Sequence, residues 1–202
     1  MIAVIDYGVG NLFSLLGSLR ALGLDARVTA DPDEIKSADR IILPGVGAFG
    51  DAIARLQATG LVPLLREEAE RGKPLLGICL GMQLLFDVSY EYGEHRGLGL
   101  IPGRVVPLPR EEVPNKKVPH MGWNSLTFPR PCPLFRYINE GEHVYYVHSY
   151  YATECEDFTV ATSEYGVTVT GAVAHGSVFG TQFHPEKSGA AGLAILRAFS
   201  EI

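Results

Sequence analysis

The sequence predicts a single α/β domain, with a mixed, mostly parallel central sheet and helices on both of its faces. Three observations carry this prediction. In the first half, short buried apolar runs alternate with amphipathic stretches, the sign of a parallel sheet covered on both sides. In the second half, the apolar residues come in β-branched and aromatic runs split by Gly, Pro and Asn, which suits antiparallel or mixed pairing. The chain has 202 residues, 47% apolar and 20% charged, with no repeat, low-complexity tract or long linker. A chain of that length can bury roughly 70% of its unfolded surface, so one domain over 1–202 is expected.

The elements follow in order. Ile2 to Asp6 is a short apolar run ending in Tyr-Gly, which predicts a buried strand. Asn11 can cap a helix with Leu12, Leu15, Leu16 and Leu19 on one face, stopped near Gly23. Arg27 to Ala30 predicts a second strand, and Arg40 to Leu43 a third, ended by Pro44. Leu61 to Arg71 sets Leu61, Leu64, Leu65 and Ala69 against Arg66, Glu67, Glu68 and Glu70, a helical pattern. Pro74 to Ile78 reads as a fourth buried strand, with Leu80 to Phe86 as the helix after it. Strand-like runs then recur at Arg104 to Leu108, Val144 to Val147, Phe158 to Thr162 and Val167 to Thr170. Ser188 to Phe199 closes the fold as an amphipathic helix.

Composition narrows the function classes. Seventeen basic against 23 acidic residues give a net charge of −6, and no basic run is present, which argues against a nucleic-acid binder. The densest apolar stretch, Leu75 to Phe86, carries Gly77, Gly81 and Gln83 and falls short of the roughly 20 residues a membrane span needs. The first residues lack a basic n-region, so no signal peptide is expected. Three widely spaced cysteines, Cys79, Cys132 and Cys155, suit a reducing cytoplasm rather than a disulfide framework.

The chemistry centres on Gly77-Ile-Cys79-Leu-Gly81. A cysteine stands between glycines at the joint of a buried strand and a helix, the spacing of a nucleophile elbow with sulfur in place of hydroxyl. The helix N-terminus lowers a thiol's pKa, and the Leu80 N–H is set to hold an oxyanion. A buried cysteine beside a helix start is the competing reading. A base is offered by Gln182-Phe-His184-Pro-Glu186. Proline holds the preceding residue extended, and residues i and i+2 of an extended segment share a face. Glu186 can therefore orient the His184 imidazole. A strand-end His-Pro turn with a solvated Glu is the alternative. The elbow cysteine upstream favours a catalytic set of Cys79, His184 and Glu186.

Pro44-Gly-Val-Gly47-Ala-Phe-Gly50 contains Gly-x-Gly-x-x-Gly, a dinucleotide fingerprint when it follows the right strand. The acidic partner expected about 20 residues on should end the next strand. Here Glu67 and Glu68 occupy that place inside a predicted helix. The preferred role is the second half of the oxyanion hole, from the backbone N–H groups of Gly45, Val46 and Gly47. Of the other histidines, His120, His143, His148 and His175 show no ligand spacing with Cys132 or Cys155, so no metal is expected. Of the pairs Tyr145–Tyr146 and Tyr150–Tyr151, one member of each would face the core of a strand. Trp123 reads as core or as an interface anchor.

With these motifs in view, the sequence resembles the triad-type class I glutamine amidotransferases, whose fold is flavodoxin-like. Within that class it resembles most the family of glutaminase subunits of imidazole glycerol phosphate synthases. The class marks are Gly77-Ile-Cys-Leu-Gly-Met-Gln83 and Gln182-Phe-His-Pro-Glu186. The narrower marks are Ile5-Asp-Tyr-Gly-Val-Gly-Asn11, Pro44 to Gly50, Val118-Pro-His-Met-Gly-Trp-Asn124, Val147-His-Ser-Tyr-Tyr151 and Glu186-Lys-Ser-Gly189. The resemblance implies that Cys79 attacks the side-chain amide of glutamine, that Gly47, Leu80, Gln83, Ser149 and Tyr150 hold the substrate, and that no cofactor is used. It also implies a heterodimer with a (β/α)₈ synthase subunit, contacted through Asn11, Trp123 and Lys187. That subunit takes up the ammonia and makes imidazole glycerol phosphate and aminoimidazole carboxamide ribotide in histidine biosynthesis. Two other readings stay open: a different triad amidotransferase or stand-alone cysteine hydrolase, and a dinucleotide-binding module built on Gly45 to Gly50.

Overall fold

A computed structural model describes residues 1–111 and 117–202. In chain order the elements are β1 (Ile2–Ile5), α1 (Leu12–Ala21), β2 (Ala26–Thr29), α2 (Pro32–Ser37), β3 (Arg40–Gly45), α3 (Phe49–Ala58), α4 (Val62–Glu70), β4 (Leu75–Cys79), α5 (Leu80–Leu84), β5 (Phe86–Ser89), β6 (His95–Arg96) and β7 (Ile101–Pro107). They continue with β8 (His120–Ser125), β9 (His143–His148), β10 (Tyr150–Thr153), β11 (Thr159–Glu164), β12 (Thr168–His175), β13 (Val178–Thr181) and α6 (Gly189–Ser200). The central sheet has seven strands in the order β11-β12-β13-β4-β3-β1-β2. Its five strands from β13 to β2 are mutually parallel, and β12 and β11 add an antiparallel edge.

Alternation along the strands divides the core into two layers. Ala3, Ile5, Ile41 and Leu43 face a cluster with Phe49, Leu56, Leu65 and Met82. Ile2, Val4 and Ile42 face the opposite cluster, built from Leu15, Leu19, Ile195 and Phe199. Helices α3, α4 and α5 thus cover one face, and α1 and α6 the other, as the period-2 pattern of buried strands requires.

The second half departs from one sheet. A four-stranded sheet, β10-β7-β5-β6, and a two-stranded ribbon, β8-β9, flank the central one. The predicted helix Leu80 to Phe86 stops at Leu84, because Phe86 opens β5 and pairs in parallel with Ile101. Pro44 does not end β3. It lies within the strand, opposite Ile78 of β4, while pairing with β1 stops at Ile42. That flank is open, so a missing N–H costs no ladder bond there. Helices α2 and α3 were not expected. The first is marked by Asp31, whose side chain accepts from Asp33 N at its N-terminus, followed by Pro32. The second follows the glycine-rich turn.

The elbow depends on close backbone approach. A Cβ on Gly81 would overlap the Leu43 carbonyl oxygen, and one on Gly77 would come within 2.7 Å of Gly81 O and Met82 N. Backbone on both sides cannot yield. Gly81→Ala should therefore destabilise the fold by about 2–3 kcal/mol, the scale of an overpacked core. Gly17→Ala, on an exposed turn of α1 with nothing within 4 Å, should instead stabilise it by about 0.5–1 kcal/mol. Urea midpoints compare the two directly, and equal midpoints would refute the crowding argument.

Candidate active site

Cys79 ends β4 with φ 54° and ψ −111°, a left-handed conformation that costs a non-glycine residue about 1–3 kcal/mol. The packing of α5 through Gly77 and Gly81 holds it there. This is the strained strand-to-helix turn of an elbow. Cys79 is 7% exposed at the C-terminal end of the parallel strands, where open α/β sheets place their sites. Its sulfur lies 3.8 Å from Gln182 Nε2 and 3.9 Å from the Val147 carbonyl. With only five residues, α5 supplies a weaker dipole than the sequence suggested, so the neighbouring histidine matters more to the thiol.

That histidine follows β13, the neighbour of β4. His184 is extended (φ −98°, ψ 99°) and Pro185–Lys187 makes one 3₁₀ turn. His184 Nδ1 lies 2.8 Å from Glu186 Oε1, with both side chains 3% exposed. The carboxylate accepts, so Nδ1 carries the proton and Nε2 is left as the basic nitrogen. Nε2 is buried beside the Cys79 thiol without a hydrogen bond of ordinary geometry. Burial alone would lower the imidazole pKa. The attraction of Cys79 and Glu186 for the charged ring outweighs that and raises it to about 9. The ring is thus primed to hold the thiol proton. Its backbone is fixed by His184 N donating to Tyr145 O (2.9 Å) and by Ser188 Oγ donating to His184 O (2.6 Å).

Cys79 and His184 open onto a cavity of about 330 Å³ that Val46, Gly47, Leu80, Gln83, Ser149 and Tyr150 also line. Most of the sequence-derived substrate and oxyanion residues therefore meet around one space, of the size that takes a small ligand. Gly45 does not line it; Gly45 stands opposite Cys79 in the β3–β4 register. A Cβ there would come within 2.7 Å of Gly81 N. Gly47 takes φ +99°, which favours glycine. Gly50 packs against the His95 ring, which a Cβ would approach to 2.8 Å. Close packing and turn geometry account for all three glycines, so the dinucleotide reading loses its motive. Gln83 is buried and donates through Nε2 to Tyr150 O (3.0 Å) and Gln182 Oε1 (2.9 Å).

Five lining or underlying residues escaped the sequence. Glu91 lines the cavity, half-buried, and its carboxyl pKa is raised by burial despite accepting from Phe49 N at 2.7 Å. Pro119 and His148 line it too. Gln182 was visible in the His184 motif, yet its contact with sulfur was not. Tyr7 donates to Pro44 O (2.7 Å) under the glycine turn, and burial and the neighbouring Cys79 raise its phenol pKa. Only the juxtaposition of distant strands shows these roles.

Two of the residues expected at a partner, Trp123 and Lys187, are exposed and meet the same tyrosine ring. Trp123 is 56% exposed and meets Tyr145 edge-on at 6.1 Å, while Lys187 Nζ stands 5.9 Å over the same ring. Of that tyrosine pair it is Tyr146 that faces the core, fully buried. Phe13 (90%), Met121 (61%) and Val46 (41%) are the other exposed apolar groups of these segments. Asn11 caps α1 by accepting from Ser14 N (3.4 Å) and lines a small recess with Val46, His184 and Glu186. Among the described residues, no helix is long and apolar enough to cross a membrane.

An elbow cysteine, a buried His–Glu pair and a mixed sheet of this order define a class, and the chain belongs to it: the family model described as glutamine amidotransferase class-I matches residues 3–201. Solved structures of 18–22% identity share the fold. One described as a glutamine amidotransferase superposes with a TM-score of 0.77 over 100% of this chain and 98% of its own. PurLQS from Thermotoga maritima gives 0.78 over 99% and 97%. Within the class, the chain belongs with the HisH subunits of imidazole glycerol phosphate synthase. It is 54% identical to that of Moorella thermoacetica over 202 residues, covering 100% of this chain and 94% of the relative. The identity to that of Geobacillus kaustophilus is also 54%, covering 98% and 95%.

Proposed function

We propose that this chain hydrolyses glutamine to glutamate and ammonia through a Cys79 thioester. It passes the ammonia to a (β/α)₈ synthase subunit, its partner in a cytoplasmic heterodimer that makes imidazole glycerol phosphate and aminoimidazole carboxamide ribotide. The observation that carries the reading is the strained Cys79 beside the buried His184–Glu186 pair at the head of a cavity. The names of the relatives support the assembly and pathway.

The chemistry follows from the geometry. His184 Nε2 takes the thiol proton, with Glu186 stabilising the charged ring. The Cys79 sulfur bonds to the side-chain amide carbon of glutamine, and the amide oxygen becomes an oxyanion facing the Leu80 N–H and the Gly45–Gly47 turn. His184 returns its proton to the nitrogen as the C–N bond breaks, ammonia leaves, and a γ-glutamyl thioester remains. Water then attacks the thioester, losing a proton to His184, and the thiolate recovers it as glutamate departs. Trp123, Lys187 and Asn11 face the synthase subunit.

Glu91 answers a need this substrate creates. Glutamine carries an α-ammonium group, and Glu91 is the acidic side chain lining the cavity. Glu91→Gln should raise KM for glutamine about tenfold or more, since a charge-assisted bond is replaced by a neutral one, with a smaller change in kcat. An unchanged KM would remove Glu91 from substrate binding. The whole reading is tested by glutamate release from glutamine by the complex with the purified synthase subunit, and no release would end it.

A further inference from the structure

We propose that His120 and a neutral His148 form a buried relay, each ring holding a proton on Nδ1, that positions the Tyr150 carbonyl and with it the Ser149–Tyr150 wall of the glutamine cavity. His148 Nδ1 lies 2.9 Å from Tyr150 O, and His148 Nε2 lies 2.9 Å from His120 Nδ1. A carbonyl oxygen only accepts, so His148 Nδ1 must carry a proton. In a neutral ring, Nε2 is then an acceptor, and the Nδ1–H of His120 fills it. The direction of both bonds is fixed: His120 donates to His148, and His148 donates to Tyr150.

The surroundings keep the relay in place. His120 and His148 are 2% and 6% exposed and stand opposite each other in the β8–β9 ribbon. The His120 ring stacks on Tyr146 and Tyr165, at centroid distances of 4.7 and 3.8 Å. Burial, and then the charge of a protonated His120, lower the His148 pKa to about 3; the Tyr150 carbonyl opposes this weakly, and His184 adds to it. A second cation beside His184 would discourage His184 from taking the thiol proton, so a neutral His148 also suits the chemistry.

The relay acts where the chain needs it. His148 ends β9, and Tyr150 opens β10 in a different sheet. At this crossing Ser149 O accepts from Leu108 N (2.9 Å), while Tyr150 O accepts from both His148 and Gln83. Both carbonyls are therefore held. The ribbon that supplies His120 also carries Trp123, so the relay joins the partner-facing strand to the substrate wall. These are positioning residues. The claim that they serve glutamine rests on the function proposed above, but the proton positions do not.

The test has two arms. Long-range ¹H–¹⁵N spectra of the ¹⁵N-histidine-labelled chain should show both rings protonated on Nδ1 at pH 7, with His148 neutral there and still neutral at pH 5. An Nε2–H tautomer in either ring, or titration of His148 near the free value of about 6.5, would overturn the relay whatever the enzyme does. In the second arm, the complex with the synthase subunit is assayed for glutamate release. His148→Phe, which removes the donor, should raise KM for glutamine roughly tenfold while kcat changes less, the scale of one lost hydrogen bond. His148→Asn, whose side-chain amide can still donate to Tyr150 O, should recover most of the loss. An Asn variant no better than Phe, or a loss confined to kcat, would refute the positioning role.

Discussion

Cys79→Ser should lose glutamine hydrolysis by on the order of 10⁴–10⁶-fold while the fold survives. Members of a catalytic unit act together, and removing the nucleophile removes nearly the whole unit's contribution. Serine is close to isosteric and can be held at the same positive φ, so the elbow should stay formed. What changes is acidity: a hydroxyl yields its proton to His184 far less readily than a thiol. Glutamate release by the complex measures the loss, and the urea midpoint checks the fold. Synthesis driven by free ammonia should continue, because that reaction belongs to the partner. Near-normal glutaminase activity in the variant would end the nucleophile assignment and, with it, the thioester.

The second large effect is activation by the partner. The free chain should release glutamate slowly, the complex faster, and the complex with its ribonucleotide ligand fastest, with a total gain on the order of 10²–10³-fold. One oxyanion donor is worth about 3–4 kcal/mol, enough for that range. The turn from Pro44 to Gly47 is the element suited to supplying such a donor on demand. Tyr7 anchors its base at Pro44 O, Gly47 at φ +99° leaves the adjoining peptides free to rotate, and Val46 stands 41% exposed on the rim. Contact with a partner at that rim can bias which amide faces the sulfur. Equal turnover under all three conditions would discard the gate and leave the triad assignment untouched.

Much of this was legible in the sequence because the chemistry is local. The elbow is a five-residue pattern, and His184-Pro-Glu186 shares a face by the geometry of an extended pair. The strands β1, β3 and β4 are buried on both faces and read as apolar runs. What escaped is non-local. Gln182 meets Cys79 because β13 pairs beside β4, and His120 meets His148 because two strands align in one register. Neither pairing leaves a mark on composition or spacing. The apolar run after Cys79 predicts too long a helix, because Leu84, Leu85 and Phe86 are buried in both a helix and a strand setting, and an apolar run does not say where one gives way to the other. Helix α3 was overshadowed by the glycines before it, whose reasons are contacts with Gly81 and His95.

The pairing of β13 with β4 bears on how the enzyme comes into being. Cys79, the proposed nucleophile, and the segment bearing His184, its proposed base, lie side by side, yet Gln182 and Cys79 are 103 residues apart in sequence. A ribosome delivers the elbow well before it delivers His184, and chains order their N-terminal parts first. Until β13 inserts between β4 and β12, the thiol has no imidazole beside it and no Gln182 amide on its sulfur. On the proposed roles, a half-made or C-terminally clipped chain should be catalytically silent, and the reactive pair is completed only by one of the last strands of the sheet to be synthesised.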